Sequence, residues 1–587
     1  MTQKHPVHKP APEDHVSMFT RVGWGTGGIA DGYIMNVLNM IFLVLYVQYF
    51  KMPPILAGAA LALPRLFDAI TDPLVGNISD NTRSRWGRRR PYMVVGAILS
   101  AVLLPFFWMP PGGAENPIWY QNPAFIFASL LGCVYALTYT LYVVPYTALG
   151  YELTPDYDEK TRVLAWRMYL GLLSSLTVPW AYKLAQHDSF ANEAVGAIWV
   201  SVGCGVLIIL AGMSPVLSCR ERKDVQAQET SPFIKSVAAT MANKAFMILL
   251  VAYIFIIVGL FSAGNLGSFL NIYYICGGNK DFGGLLVAIA GSLTSIVSYL
   301  SMFMVQAISV RTGKKTAMII GLGFALAGVG FGWFAMDPRW PMAQFITAIV
   351  AGMGLQGCWL MVSSMVADVC DEDELKTGLR REGMFGAVNG FALKAALSLT
   401  ALIGGILLQF SGFDADGVDK FEARTIEQVI EPARAWTLED EAFIAATAEF
   451  EKNAVRFVEI SEDKSSIEGS KWTVLGRLLK GESVYFRWYE FEDAVHEYLG
   501  AVDTCGAEAS AETRMEMESY AESVRSGFLT DLAELNKTSL MMKKLIIGFQ
   551  VAGLLIALAI FAFYPITRQH AEETRRKLDE RKQKETK

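Results

Sequence analysis

Leu61-Ala-Leu-Pro-Arg65-Leu-Phe-Asp68-Ala-Ile-Thr71-Asp72-Pro73-Leu-Val-Gly76 is an apolar stretch with three charges in it, and it runs into the basic segment Asp80-Asn-Thr-Arg83-Ser-Arg85-Trp-Gly87-Arg88-Arg89-Arg90-Pro91. Asp68 and Asp72 are four residues apart, so on a helix they share one face, with Cβ atoms roughly 5–6 Å apart. Arg65 lies one turn before Asp68 and is expected to partner it. A charge at the centre of a bilayer costs at least about 2.5–3.5 kcal/mol, so a membrane helix holding three of them is expected to line a polar cavity. Pro73 has no N–H and should leave the carbonyl of Ala69 without its helical partner. Two carboxylates and a freed carbonyl on one face are hard oxygen donors, suited to a small monovalent cation or a proton.

The chain of 587 residues is 52% hydrophobic, and apolar runs of about 20 residues recur along it, which reads as an all-α polytopic membrane protein. Hydropathy gives twelve expected spans, near 24–50, 55–78, 91–110, 122–149, 164–184, 193–215, 246–275, 283–309, 315–336, 342–367, 384–411 and 543–565. The expected divisions are a tail at 1–21, a six-helix bundle at 22–215, a central loop at 216–245, spans seven to eleven at 246–411, an acid-rich insert at 412–541, span twelve at 542–566 and a basic tail at 567–587. Basic residues gather after spans two, four, six (Arg220, Arg222, Lys223), eight and ten (Lys376, Arg380, Arg381), so both termini are expected in the cytoplasm and the insert on the outer face. Gly87-Arg88-Arg89-Arg90 has a weaker counterpart in Arg311-Thr-Gly313-Lys314-Lys315. Paired halves of six spans around a polar connector are the architecture of a major-facilitator transporter, with its site at midplane between two pseudo-symmetric bundles.

Several classes drop out. The cysteines Cys133, Cys204, Cys219, Cys276, Cys358, Cys370 and Cys505 show no paired spacing, which argues against a disulfide framework, a metal site or any cofactor beyond a coupling ion. His5, His8 and His15 sit in a Pro-rich tail rather than a metal site, and Met1 to Arg21 lacks the apolar core of a secretory signal. The insert carries amphipathic stretches such as Leu438–Glu462 but no grouping of nucleophile, base or metal ligands. It reads as a helical cap, open to an extracytoplasmic partner, and the protein as neither an enzyme nor a nucleic-acid binder.

Other polar residues interrupt apolar spans. Asp31 follows Gly23-Trp-Gly-Thr-Gly-Gly-Ile-Ala, where glycines allow close helix approach. The fourth span ends in Thr138-Tyr139-Thr140-Leu-Tyr142-Val143-Val144-Pro145-Tyr146-Thr147, a face of Tyr and Thr beside a kink. Arg167 opens the fifth span, Trp359 lies in the tenth and Lys394 in the eleventh. Aromatics beside charged groups suit a sugar, since rings stack on its C–H faces and charged groups bind its hydroxyls; Tyr142 and Tyr146 are candidates for that contact. Asp80, Arg88, Glu152, Arg162 and Asp368 fall near cytoplasmic span ends and, with Arg65, read as gating or structural charges. Exposed pairs of that type contribute about 0–1 kcal/mol, which suits a contact that must open.

Asp68-Ala-Ile-Thr71-Asp72-Pro-Leu-Val-Gly76 with Arg83-Ser-Arg85-Trp-Gly-Arg88-Arg-Arg-Pro91, Pro145-Tyr-Thr-Ala-Leu149 with Glu152-Leu-Thr, Arg162-Val-Leu-Ala-Trp-Arg167 and Met365-Val-Ala-Asp368 through Arg380 and Glu382 to Lys394 together resemble the signatures of the glycoside–pentoside–hexuronide:cation symporters, the melibiose permease-like branch of the major facilitator superfamily. The matches cover most of residues 20–411 and the last span. The resemblance implies that Asp68, Asp72, Thr71 and Thr140 line a cation site, that Asp31, Arg167, Trp359 and Lys394 border the sugar, and that the chain sits in a bacterial inner membrane. Val143 stands where the sugar permeases often carry an acid, Thr147 where an aromatic is expected, and the insert lies outside the family pattern.

The expected function is symport of a glycoside-like solute with Na⁺ or H⁺ by alternating access. A sodium-dependent lysophospholipid symporter shares a similar Asp-Pro-Leu-Val-Gly and Val-Pro-Tyr pattern, so a lysolipid or other amphiphile is the alternative cargo. A membrane sensor that binds its ligand through the insert is the alternative class.

Overall fold

The computed structural model describes residues 15–154, 156–219, 221, 240–262, 264–276, 280–338, 340–377, 382–413, 425, 429–433, 441–462, 488–505 and 511–585. His5, His8, Arg220, Arg222, Lys223, Arg380 and Arg381 lie outside them. The first half consists of α1 (Met18–Gln48), α2 (Pro54–Asn81), α3 (Arg90–Leu103), α4 (Pro123–Glu152), α5 (Tyr157–Thr177) and α6 (Glu193–Ser218). The second has α7 (Lys244–Phe261), α8 (Lys280–Thr312), α9 (Lys314–Ala335), α10 (Gln344–Thr377) and α11 (Glu382–Phe410). Then come α12 (Glu441–Glu462), α13 (Trp488–Cys505) and α14 (Ala511–Ser526) of the insert, α15 (Phe528–Ala562) and a tail helix α16 (Arg568–Glu585). Among the described residues eleven helices are long and apolar enough to cross a membrane. The remaining expected span, α5, carries Asp158, Glu159, Lys160, Arg162 and Arg167, which lower its hydropathy.

The entries to these helices are written locally. Ser17, Asn122, Asp156, Asn192 and Asn243 each accept a hydrogen bond from the backbone N–H three residues on, which satisfies one of the orphan donors of a helix start. Pro64 and Pro73 lie inside α2 without ending it.

Within the first half α1 packs on α5 and α6, and α2 on α4; within the second α9 and α8 pack on α10, and α7 on α15. The halves meet along α2–α11 and α5–α8, the pair of crossings that a two-fold relation of helices two with eight and five with eleven requires. At the first crossing Ser398 Oγ donates to Ala62 O at 2.8 Å. At the second Ser295 Oγ donates to Ser175 O at 3.1 Å, and Trp180 Nε1 to Ser292 Oγ at 2.9 Å. These contacts lie between midspan and the end of the bundle that carries the insert. Gly58 faces Gly405 there, and a Cβ on Gly58 would stand 2.7 Å from Ala401 O; the absence of side chains is what lets the helices close.

The insert has its own apolar core, in which Phe450 stacks on Tyr498 at 4.8 Å and Phe491 meets Phe528 edge-on at 5.7 Å. Tyr498 donates to Ala433 O at 3.1 Å, and burial pushes its phenol up from the ordinary tyrosine value. Phe528 and Leu532 of α15 belong to this core, so one continuous helix runs across the boundary expected at 541. Between 412 and 541 the sequence holds 28 acidic and 13 basic residues against a whole-chain net charge of −6, so the insert is strongly negative and the remainder positive.

Gly58→Leu should keep α2 and α11 apart. Cysteines placed at Ala62 and Ser398 are expected to cross-link readily in the parent and poorly in that variant; equal cross-linking would contradict the crossing described. Phe491→Ala, a deletion that costs about 3–5 kcal/mol in a packed core, should expose α12–α14 to limited proteolysis while the membrane bundle stays intact.

Candidate cation and solute site

The α2 carboxylates face α4 and α11. Thr140 Oγ1 sits between them, donating to Asp68 Oδ1 and standing 3.0 Å from Asp72 Oδ1. One hydroxyl proton serves two carboxylates, so this hydroxyl leaves part of their acceptor capacity unmet. Lys394 Nζ of α11 fills it, 2.7 Å from Asp68 Oδ2 and in contact with Asp72 Oδ2. Asp68 is 1% exposed and Asp72 29%, so Asp72 is the more accessible of the two carboxylates. Thr71 sits behind the pair, its hydroxyl donating to Asp68 O at 3.2 Å and lying 3.5 Å from that of Thr140.

Two expectations change here. Arg65 does not pair with Asp68. Its Nη2 donates to Met35 O of α1 at 3.4 Å, while Asp68 is taken by Thr140 of α4 and Lys394 of α11. Lys394, expected beside the solute, stands on the carboxylate pair, because the α2–α11 crossing brings it there.

A second polar group lies between α1, α4 and α5. Arg167 Nη2 donates to Asp31 Oδ2 at 2.9 Å, and Tyr139 OH donates to Asp31 Oδ1 at 3.0 Å. The Arg167 guanidinium lies over the Tyr146 ring, 5.1 Å from its centroid, a cation–π contact. A Cβ on Gly28 would come 2.9 Å from Arg167 O, so the glycine-rich stretch of α1 is what lets α5 bring Arg167 to Asp31. Tyr142 and Tyr146 are corrected from solute contacts to core. Both are fully buried, and their hydroxyls donate to Gly27 O at 3.1 Å and Trp24 O at 3.0 Å. Trp359 sits in the second half among Tyr253 and Phe261, at centroid distances of 5.7 and 6.3 Å.

Tyr139 was legible only as part of an aromatic face, yet it holds Asp31 while its neighbour Thr140 holds Asp68 and Asp72. Adjacent residues of α4 therefore touch both groups.

The charges at the basic end form separate clusters within each half. Arg88 and Arg89 share Glu152 at 3.1 and 2.8 Å, and Arg89 also holds Asp80 at 2.7 Å. Glu221, which the sequence did not single out, accepts from the backbone N–H of Arg88 at 2.7 Å and Arg89 at 2.9 Å. Arg162 does not face Glu152; it pairs with Glu159 at 3.3 Å. Glu159 is fully buried, with Arg21 Nε and Val16 N each at 3.0 Å. In the second half Asp368 takes Lys314 at 2.7 Å and Arg575 of the tail helix at 3.4 Å. Among the described residues no group of three His, Cys, Asp or Glu is arranged to hold a metal ion, and Cys133, Cys204, Cys219, Cys276 and Cys358 are free thiols.

Known proteins are similar to this chain in sequence and in fold. A family model described as MFS/sugar transport protein matches residues 23–429. An uncharacterized symporter of Synechocystis sp. is 27% identical over 68% of this chain and 86% of its own length. The sodium-dependent lysophosphatidylcholine symporter 1 of Mus musculus is 23% identical, over 70% of this chain and 82% of its own. A glucuronide carrier protein homolog of Escherichia coli is 23% identical, over 69% and 86%. The crystal structure of a bacterial homolog of the human lysosomal transporter Spinster aligns with a TM-score of 0.55 at 11% identity, covering 96% of this chain and 98% of that one, which shows a shared fold. With two six-span halves and a family match over most of its length, the chain belongs to the MFS/sugar transport protein family of the major facilitator superfamily.

Proposed function

We propose that this protein is a secondary active symporter that moves a sugar-like solute, a glycoside or glucuronide in class, together with Na⁺ or H⁺ by alternating access. One observation carries the reading: a lysine from one half is held by two aspartates of the other, whose remaining oxygens take a threonine hydroxyl, in the place a small cation would take. A coupling ion arriving at Asp72 competes with the Lys394 ammonium for the same oxygens. Its binding releases a contact between the halves, and its departure restores it. Release of that bridge frees the halves to rock, which is the movement alternating access needs.

The solute in this account sits at Asp31 and Arg167, whose paired charges offer donors and acceptors to hydroxyl groups. Tyr139 and Thr140 relay between the two places, so ion and solute affect each other through one turn of α4. By linkage each must raise the other's affinity by the same factor. The basic end being cytoplasmic by the positive-inside rule, the crossings at α2–α11 and α5–α8 close the outer side, and the described state faces inward. The negative insert then attracts cations to the outer entrance.

The similarity to the mouse lysophosphatidylcholine symporter supports a second cargo, a lysolipid. The sensor reading has less to support it, since the family and the relatives are transporters.

In proteoliposomes an imposed Na⁺ or H⁺ gradient is expected to drive accumulation of a labelled glycoside, and Asp72→Asn should abolish it. Uptake indifferent to both gradients would overturn symport; accumulation of lysolipids but of no sugar would select the second cargo. Arg167→Gln alone strands Asp31 in a mostly desolvated position and should cost about 3–5 kcal/mol. Asp31→Asn with Arg167→Gln should cost less, as thermal unfolding in detergent would show.

A further inference from the structure

Six charged side chains lie in the middle turns of the described span helices: Asp31, Arg65, Asp68, Asp72, Arg167 and Lys394. Three are positive and three negative, so with the halves together the group is neutral. Taken half by half it is not. Lys394 is the second half's sole contribution to the six, and the first half keeps two positive charges against three negative ones.

Asp31 and Arg167 satisfy each other at 2.9 Å. Among the described residues of the middle turns, that leaves Arg65 as the first-half cation beside Asp68 and its neighbour Asp72. Arg65 makes no ion pair among the described residues; it shares with Asp68 a cleft between α1, α2 and α4, lined also by Met35, Asn39, Tyr135 and Tyr139. Charges so placed feel each other over several ångströms because little water screens them, and a membrane interior penalises any surplus.

We infer that Arg65 sets the number of coupling ions. It holds the first half one charge short of neutrality, so this half takes one monovalent cation at Asp68 and Asp72, either the Lys394 ammonium or one coupling ion, but never both. The inference rests on the symport reading above. Without the Arg65 charge the half falls two charges short. Two ions then take the place of Lys394 when the bridge opens, and both leave before it closes again, so each turnover carries two. Arg65 is a positioning residue in this account, acting through the two aspartates. An arginine that merely braced α1 against α2 would change rate or stability when replaced, and leave the ion count alone.

The test is accumulation at static head with the membrane potential clamped at zero, run separately under tenfold Na⁺ and tenfold H⁺ gradients. Wild type and Arg65→Lys are expected to accumulate solute about tenfold under the coupling gradient, the value for one ion per solute. Arg65→Gln and Arg65→Met are expected to approach a hundredfold, the value for two. Should both neutral variants transport too slowly to reach static head, ²²Na⁺ bound or protons taken up per purified chain gives the count, two in place of one. A neutral variant that still accumulates tenfold, or still binds one ion, overturns the inference. Wild type that accumulates nothing under either gradient overturns the symport reading and this inference with it; wild type at tenfold with unchanged variants removes this inference alone.

Discussion

A lysine on α11 and two aspartates on α2 meet between the halves, with one threonine hydroxyl shared beneath them. Neither half satisfies these groups alone. Taking Asp68 out of water without a partner would cost several kcal/mol, and a lone ammonium at that depth would cost as much. The halves are thus held by a contact that is strong while intact, and in the symport reading proposed above a small cation reaching Asp72 takes its place. A hydrophobic seam of the same area would hold them as well, but no ion could open it.

Much of the packing serves that spot. Gly58 and Gly405 bring α2 and α11 together closely enough for Lys394 to reach across. The glycines of α1 do the same for α5, delivering Arg167 to Asp31. Tyr142 and Tyr146 spend their hydroxyls on α1 carbonyls, and the Tyr146 ring meets Trp24, Arg167 and the Tyr142 ring, which fixes α4 and with it Tyr139 and Thr140. At the basic end, by contrast, each described charge cluster stays within its own half, leaving the rocking motion unopposed there. The tail helix adds Arg575 to Asp368 without tying the halves together.

The span pattern, the paired halves and the Asp68/Asp72 face were legible because hydropathy and helical spacing are local properties of a sequence. Lys394 was legible as a charge in an apolar span, but its partner was not, since 322 residues separate it from Asp72 and only the α2–α11 crossing joins them. Arg65 misled for the opposite reason: the (i, i+3) spacing to Asp68 allowed a pair, and Arg65 reaches a carbonyl of α1 while Lys394 takes Asp68. Tyr142 and Tyr146 looked available because sequence shows a polar tip without showing the carbonyl it binds. Glu221 and Glu159 carried no signal, since a carboxylate in a polar loop reads the same whether it is solvated or caps three backbone N–H groups. The boundary expected at 541 falls inside α15, one helix that serves an apolar core at its start and an apolar span at its end, and hydropathy does not show such continuity.

Competition between Lys394 and the coupling ion is the claim on which the rest turns, and equilibrium binding of ²²Na⁺, or proton uptake, to the purified protein tests it directly in wild type and Lys394→Gln. The account predicts that removing the ammonium lowers the ion concentration needed for half-saturation, because the ion no longer displaces a tethered rival. Loss of ion binding in Lys394→Gln, with the fold intact, would contradict it and make the lysine a support of the ion site rather than its competitor.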